Sequence, residues 1–535
     1  MNIEKADMKI SFVSIEDSIT AIGFRKIAAV ARKIHPEIEV CYLVPMGMRS
    51  LFKLLTKRDE VSANISTEDL NTIGNHLAKS DMVCFSSMTP FADVTKQIIA
   101  AVRAANLKTY IVWGGVHPIL YPEDAIQFAD AICIGEGELA FQNFLNSYER
   151  GEDYVTTKNF WFNANGKIIK NTFLPLLTPS EMEKFPPPLY ADDEFIYKKG
   201  QGIVQLGLSE YLIFNDLAYN TMWTIGCPFK CTFCQNSKFI KMDKNYAKLR
   251  YPSVDHIISE IKLVIKKHPH ISLIRFYDDS FMAISSNVLS EFSEKWRKEI
   301  GVPFWVYGLL PAYVKREKMK SLIYAGMRRI RMGVQSGSER ILQFYKRFNR
   351  PGLIADSMSI INDFSKFMSP PYFDIIVDNP IETSDDIIAS LQMLYNAPRP
   401  FRLFVHSLRI IPDTEMEKDL AMQNIFAKDI GSVLGNVKPT FGNAMFYLLS
   451  VVKPPMWFYS FAIKRIKPFE KDVPTSPFFH LAYLLYKVRL FIDRIKALDF
   501  SILPGKLGWI LWKLGIVGFV QQRRLNKALK SIDQI

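Results

Sequence analysis

The sequence predicts an α/β protein with two successive parallel-sheet units and a helical C-terminal region. Three observations predict it. Apolar, β-branched runs alternate with helical runs twice over, first to about residue 150 and again from about 216 to 430. At 535 residues the chain is too long for one hydrophobic core. The last hundred residues abandon the alternation for long apolar and aromatic stretches edged by Lys and Arg.

The first series begins with the strand-like MKISFVSI (8–15), the helical GFRKIAAVARKI (23–34) and the strand-like EIEVCYLV (37–44). Ser66 and Asp69 form a capping-box variant opening a helix to about Lys79. DMVCFSS, a helix near 92–105, TYIVWGG, a short helix from Pro122, AICIG and a helix from about Gly137 complete it. Five strands alternating with helices imply a doubly wound, Rossmann-like sheet over residues 1–150, whose ligand sits beyond the carboxyl ends of the strands. Those ends carry Ser86 and Ser87, then Gly114, Gly115 and His117, then Gly135, Glu136 and Gly137. Small residues there admit a bulky ligand, although tight strand-to-helix turns explain the same glycines equally well. No G-x-G-x-x-G follows the first strand, which disfavours a nicotinamide cofactor.

Residues 151–215 show no clear period and contain FPPPLY, so they read as a linker. From 216 to 430 six strand–helix repeats follow: NTMWTIG, SLIRFYDDS, PFWVYGLL, MRRIRMGVQSGS, YFDIIVDNP and FRLFVHSLRII, with helices between them. This is the pattern of a partial (β/α)6 TIM-type barrel, whose chemistry lies at the carboxyl strand ends. His406 and Arg409 alternate on the last strand, and Asp374 and Asp378 lie on the one before; each is either site or scaffold.

The six cysteines form no disulfide framework, and Cys41, Cys84 and Cys133 read as inert thiols in apolar runs. The other three, Cys227, Cys231 and Cys234, sit together in CPFKCTFC. Zinc wants a fourth Cys or His at close spacing, and none occurs before His256. Three thiolates instead suit a four-iron four-sulfur cluster with one iron left open.

CPFKCTFC resembles the C-x3-C-x2-C signature of the radical S-adenosylmethionine family, with the aromatic Phe233 before the last cysteine. The resemblance implies that the open iron chelates S-adenosylmethionine and that its cleavage yields a 5′-deoxyadenosyl radical. It implies that Asp278 and Asp279 contact the methionine amino group, and that Gly333, Gln335 and Ser336 contact the cofactor's ribose and carboxylate. Many relatives have Glu in place of Gln335. The N-terminal strand ends, placed ahead of such a barrel, resemble the cobalamin-binding subclass, and the likeness spans roughly residues 8–430. There the Ser and Gly ends surround the nucleotide tail of cobalamin. The Asp-x-His-x-x-Gly motif that supplies a cobalt ligand in other cobalamin proteins is absent, because EDSITAIG (16–23) has no histidine.

The resemblance implies a methyltransferase acting on an unactivated carbon through the radical and methylcobalamin, with an external electron donor such as flavodoxin or ferredoxin. The alternatives are a non-methylating ring-forming or carbon–carbon coupling enzyme, and a cobalamin- or redox-sensing binding protein.

Residues 436–535 hold 16 Lys or Arg against 5 Asp or Glu, which is 16 − 5 = +11 of the total +13. Apolar aromatic runs flanked by cations suit a helix lying in a membrane interface, and Lys453 and Lys513 interrupt any spanning segment. Nucleic-acid surfaces expose charge instead, so nucleic acid is disfavoured. The expectation for residues 431–535 is a basic amphipathic helical region that brings a hydrophobic or lipid-linked substrate to a cytoplasmic enzyme peripheral on the inner face of the membrane.

Overall fold

The structure is a computed structural model that describes residues 8–44, 65–188, 190–347, 350–411, 414–426, 437–468, 475–496 and 505–532. The chain divides into two compact units, with the boundary between Asn215 and Asp216.

The first unit is built on nine strands in the order β7-β6-β5-β4-β3-β1-β2-β8-β9. They are β1 (Ile10–Ile15), β2 (Ile38–Leu43), β3 (Met82–Ser87), β4 (Tyr110–Gly114), β5 (Ala131–Cys133), β6 (Phe160–Ala164), β7 (Lys167–Lys170), β8 (Glu194–Lys198) and β9 (Gly202–Gln205). The five expected strands run parallel. The order reverses between β1 and β3, the switch point at which such sheets open a crevice. The central strands are buried along their length, consistent with helices on both faces. Ser66 caps the Thr67–Leu77 helix by accepting from the Asp69 amide.

Residues 151–215 are not a linker. They add the antiparallel pair β6–β7 to one edge of the sheet, and β8, parallel to β2, with its hairpin partner β9 to the other.

The second unit contains six parallel strands in strict chain order: β10 (Ala218–Thr221), β11 (Leu273–Phe276), β12 (Phe304–Leu309), β13 (Met327–Gln335), β14 (Tyr372–Val377) and β15 (Arg402–Ser407). Intervening helices at Val254–Lys267, Ser286–Glu299, Arg316–Ala325, Leu353–Asp363 and Ser384–Asn396 complete the partial barrel. Trp223 stacks on Phe292 at 5.0 Å within a buried cluster that includes Phe281, Phe276 and Phe304, giving the first loop a rigid base. Beyond the barrel, helices cover Phe441–Val451, Met456–Ile463, Pro477–Lys496, Gly505–Lys513 and Ile516–Ile532. Among the described residues, no helix is long and apolar enough to cross a membrane.

Candidate functional site

In the second unit the site is the loop between β10 and the Asn236–Met242 helix. Cys227 and Cys231 are buried and Cys234 is half-buried, and all three are free thiols. Main-chain bonds hold them in place. The Cys227 amide donates to the Tyr246 carbonyl at 3.2 Å, and Cys231 and Cys234 share a turn closed by a 3.0 Å bond from the Cys234 amide. Between them Thr232 donates from its amide to the Tyr345 carbonyl at 3.1 Å, and from its hydroxyl to the Phe344 carbonyl at 2.9 Å. Phe233 packs edge-on against Tyr345 at 5.0 Å, so it anchors the loop.

Burial pushes the Cys227 thiol up to about 11 and the Cys234 thiol up to about 12, with repulsion from the other cysteines and Asp279 adding to it. A set of thiols that suppress one another's ionisation is relieved by a shared cation, so the donor set fits an iron–sulfur cluster. Among the described residues no group of three or more His, Cys, Asp or Glu side chains is arranged to hold a single metal ion. Thiolates that each hold a separate iron have no need of that arrangement.

Asp278 is not aimed at a ligand. It is 2% exposed, and its two oxygens accept from the Thr224 amide at 2.6 Å and the Trp223 amide at 3.3 Å. It therefore buckles the end of β11 to the strand leading into the cysteines. Burial pushes its carboxyl up to about 7 against the effect of those bonds. Asp279, its neighbour, is the accessible one: it is exposed to solvent, yet protein crowds it enough to raise its carboxyl despite a bond from Asn236. On β13, Gln335 adopts a positive φ of 74° beside buried Gly333. Ser336 is 1% exposed, its hydroxyl engaged by Ser390 and the Ser338 amide, so it supports the turn.

One residue outside the motif joins these parts. Buried Arg347 donates to the Gly333 carbonyl, approaches the Cys231 sulfur at 3.5 Å and lies 5.5 Å from the Phe229 ring centroid. A guanidinium on a cluster sulfur stabilises the more negative, reduced state. Arg347→Met is expected to move the midpoint potential of the reconstituted cluster tens of millivolts more negative, and Arg347→Lys to move it less. Potentiometric titration followed by electron spin resonance checks this, and unchanged potentials would reduce Arg347 to a packing residue.

Across the barrel strands, Arg331 binds Asp374 through Nε at 2.8 and 3.0 Å and meets His406 Nε2 at 3.0 Å, while His406 reaches Asp374 at 3.1 Å. Burial would raise the Asp374 carboxyl, but the bonds from His406 and Arg331 hold it below its ordinary value. Tyr277 and Tyr307 stack at 4.6 Å near Arg331. Asp378 instead accepts from the Lys438 amide and Asn443 and is scaffold, and Arg409 is exposed.

In the first unit the strand ends form a shelf without large side chains: Ser86, Gly114, Gly115 and Gly135 are all half-buried. At Gly115, with φ of 91°, an added Cβ would lie 2.8 Å from the Ser87 backbone and 2.9 Å from the Ser86 hydroxyl, so only glycine lets β3 and β4 end side by side. Glu136 accepts from the Leu177 amide at 3.2 Å. Beside the shelf, burial and Asp17 push the Glu16 carboxyl up to about 8. Two expected contact residues prove internal. Ser87 is fully buried and accepts from Trp113 Nε1 at 3.0 Å. His117 is 3% exposed, bonded to Asp124 at 3.0 Å and stacked between Trp113 and Tyr121. The shelf fits the nucleotide tail of cobalamin, and buried Thr89 Oγ1 and His117 Nδ1 have no hydrogen-bond partner near it.

Gly114 separates ligand binding from folding, because a Cβ there makes only ordinary contacts at 3.9 Å. Gly114→Leu in the full chain is expected to lose corrin absorbance on desalting while keeping its iron. Undiminished corrin retention would remove the shelf from the site.

Comparison with known proteins agrees with this geometry. Residues 8–145 match the B12 binding domain and residues 222–394 the Radical SAM superfamily. An uncharacterized methyltransferase of Pyrococcus horikoshii is 23% identical over 356 residues, 65% of this chain and 72% of the relative. An anaerobic magnesium-protoporphyrin IX monomethyl ester cyclase of Rubrivivax gelatinosus is 23% identical over 310 residues; that match covers 56% of this chain and only half (50%) of the relative. In fold, the chain is similar to the radical S-adenosylmethionine methyltransferase TsrM of Kitasatospora setae, solved with cobalamin and a [4Fe-4S] cluster (TM-score 0.59, 16% identity, 78% of this chain and 75% of that one). It is also similar to the cobalamin-dependent S-adenosylmethionine radical enzyme OxsB (TM-score 0.62, 15% identity, 98% and 80%). With a B12 binding domain ahead of a radical domain and a cysteine loop built for the cluster, the chain belongs to the cobalamin-binding radical S-adenosylmethionine enzymes, whose cofactors are a four-iron four-sulfur cluster, S-adenosylmethionine and cobalamin.

Proposed function

We propose that this protein methylates an unactivated carbon of a hydrophobic or lipid-like substrate. The observation that carries the reading is the pairing, in one chain, of a three-cysteine loop with an open strand-end shelf ahead of it. The similarity to a protein described as a methyltransferase supports it. When bound, the cofactors supply a carbon radical and a methyl carrier, with an external electron donor, of the flavodoxin or ferredoxin kind, providing reducing power. The chain's part is positional. Cys227, Cys231 and Cys234 would hold the cluster, Asp278 keeps their loop in register, and exposed Asp279, with Gln335 at the end of β13, would contact S-adenosylmethionine. Arg331 and Asp374 pair with one another and with His406 Nε2, and the His406 ring, 46% exposed, would meet the substrate beside the flat Tyr277–Tyr307 pair.

The cyclase of Rubrivivax gelatinosus favours a second reading, ring formation without methyl transfer. Comparing lipid and small-metabolite profiles of a deletion strain and its parent separates the two. Methylation predicts that the parent alone holds a compound heavier by one methylene unit than one accumulating in the deletion. A pair differing by two hydrogens would favour the cyclase reading.

A further inference from the structure

The Pro477–Lys496 helix has two apolar faces. Its inner face, Phe479, Ala482, Tyr486 and Leu490, is buried against the Phe441–Val451 helix and the last barrel strands. The orientation is fixed by polar contacts: the Tyr486 hydroxyl donates to the Leu403 carbonyl at 2.6 Å, and buried Asp493 pairs with buried Arg402. The opposite face therefore points to solvent. It consists of Leu481, Leu484, Leu485, Val488, Ile492 and Ile495, each between 37% and 54% exposed. Their spacing of three or four residues makes one stripe along a helix about 30 Å long. A helix covering a soluble protein carries charge on that face.

The borders of the stripe say what covers it. At 100° per residue, Lys487 and Arg494 fall along one edge, Arg489 and Lys496 along the other, and the helix's one acid is internal with Arg402. A second copy of the chain would set cation against cation at both edges. An anionic bilayer meets them with phosphate and takes the aliphatic groups below it. The neighbouring Met456–Ile463 helix, joined to this one through Phe458 and Phe478, leaves Trp457 72% exposed, the residue type that favours the headgroup level. Spanning is not required, since no described helix is long and apolar enough for it.

We infer that the Pro477–Lys496 helix lies flat in the headgroup region of an anionic phospholipid bilayer, its aliphatic stripe inserted and its Lys and Arg borders on the phosphates. The inference does not rest on the methyl-transfer reading. Co-sedimentation of the full chain with phosphatidylcholine vesicles, with and without phosphatidylglycerol, tests it at low and high salt. The expected result is binding to the anionic vesicles that high salt weakens but does not abolish, because apolar burial is not screened. Leu485→Glu with Val488→Glu, at positions exposed in the fold, is expected to reduce vesicle binding roughly tenfold or more without changing the melting temperature. No binding of the unaltered chain to either vesicle would overturn the inference. So would equal binding by the double variant, or a dimer of the unaltered chain in solution that the double variant dissolves.

Discussion

Replacing Cys227, Cys231 or Cys234 with Ala is expected to abolish cluster assembly and, with it, formation of 5′-deoxyadenosine. Three ligands are the fewest that leave one iron open while holding the other irons, so there is no spare donor. Among the described residues no group of three or more His, Cys, Asp or Glu side chains is arranged to hold a metal ion in their place. The loop itself should survive, since its fixed points are bonds from the Cys227 and Thr232 amides and the Thr232 hydroxyl to the carbonyls of Tyr246, Tyr345 and Phe344, together with the Asp278 clasp. Anaerobic reconstitution with iron and sulfide, followed by iron analysis and quantitation of 5′-deoxyadenosine, checks the loss. Thermal unfolding separates it from a folding defect, because the first unit has its own core. Full cleavage of S-adenosylmethionine by any one variant would refute the assignment.

Gly308→Ala is expected to be the most damaging single-methyl change in the barrel. Gly308 has φ of 69°, and a Cβ there would fall 1.9 Å from the Asp278 carbonyl oxygen and 2.7 Å from the Asp279 carbonyl carbon. These are backbone atoms of the turn that clasps the cysteine loop, so β12 or the turn must move. Gly301 provides the control: its φ is 66°, with nothing within 4 Å of an added Cβ. Gly301→Ala pays only for left-handed backbone, about 1 kcal/mol, whereas Gly308→Ala should cost about 3 kcal/mol or more. Chemical denaturation of both variants measures the difference. Gly308→Ala should also lose iron on desalting, and equal costs for the two would show that β12 does not hold the Asp278 turn in place.

Strand alternation and the cysteine spacing were legible in the sequence because each is a local pattern with a local cause. The edge hairpins of the first unit were not, although Asn165-Gly166, with φ of 51° and 86°, is a hairpin signal that the aperiodic surroundings obscured. The site motifs marked positions correctly as strand ends but could not say which way a side chain turns. Asp278 and Asp279 are adjacent, yet one clasps the backbone and the other is exposed. His117 and Ser87 looked available because they end strands, but Trp113 closes over both. Arg347 lies 116 residues from the cysteine it approaches, and no spacing rule joins them; only the fold of β13 against the loop does. The tail's composition suggested an interface, while the two-faced character of Pro477–Lys496 became visible only once its inner contacts were known.

We propose methyl transfer by a cobalamin-dependent radical reaction, and the origin of the transferred carbon decides it. The most direct measurement incubates the full chain, reconstituted anaerobically with iron, sulfide and cobalamin, with a lipid extract of the deletion strain and S-adenosylmethionine deuterated in its methyl group. Methyl transfer predicts one product carrying the deuterated methyl, formed together with 5′-deoxyadenosine and S-adenosylhomocysteine, and absent when cobalamin is omitted. A product without deuterium, or a labelled product formed equally well without cobalamin, would contradict it.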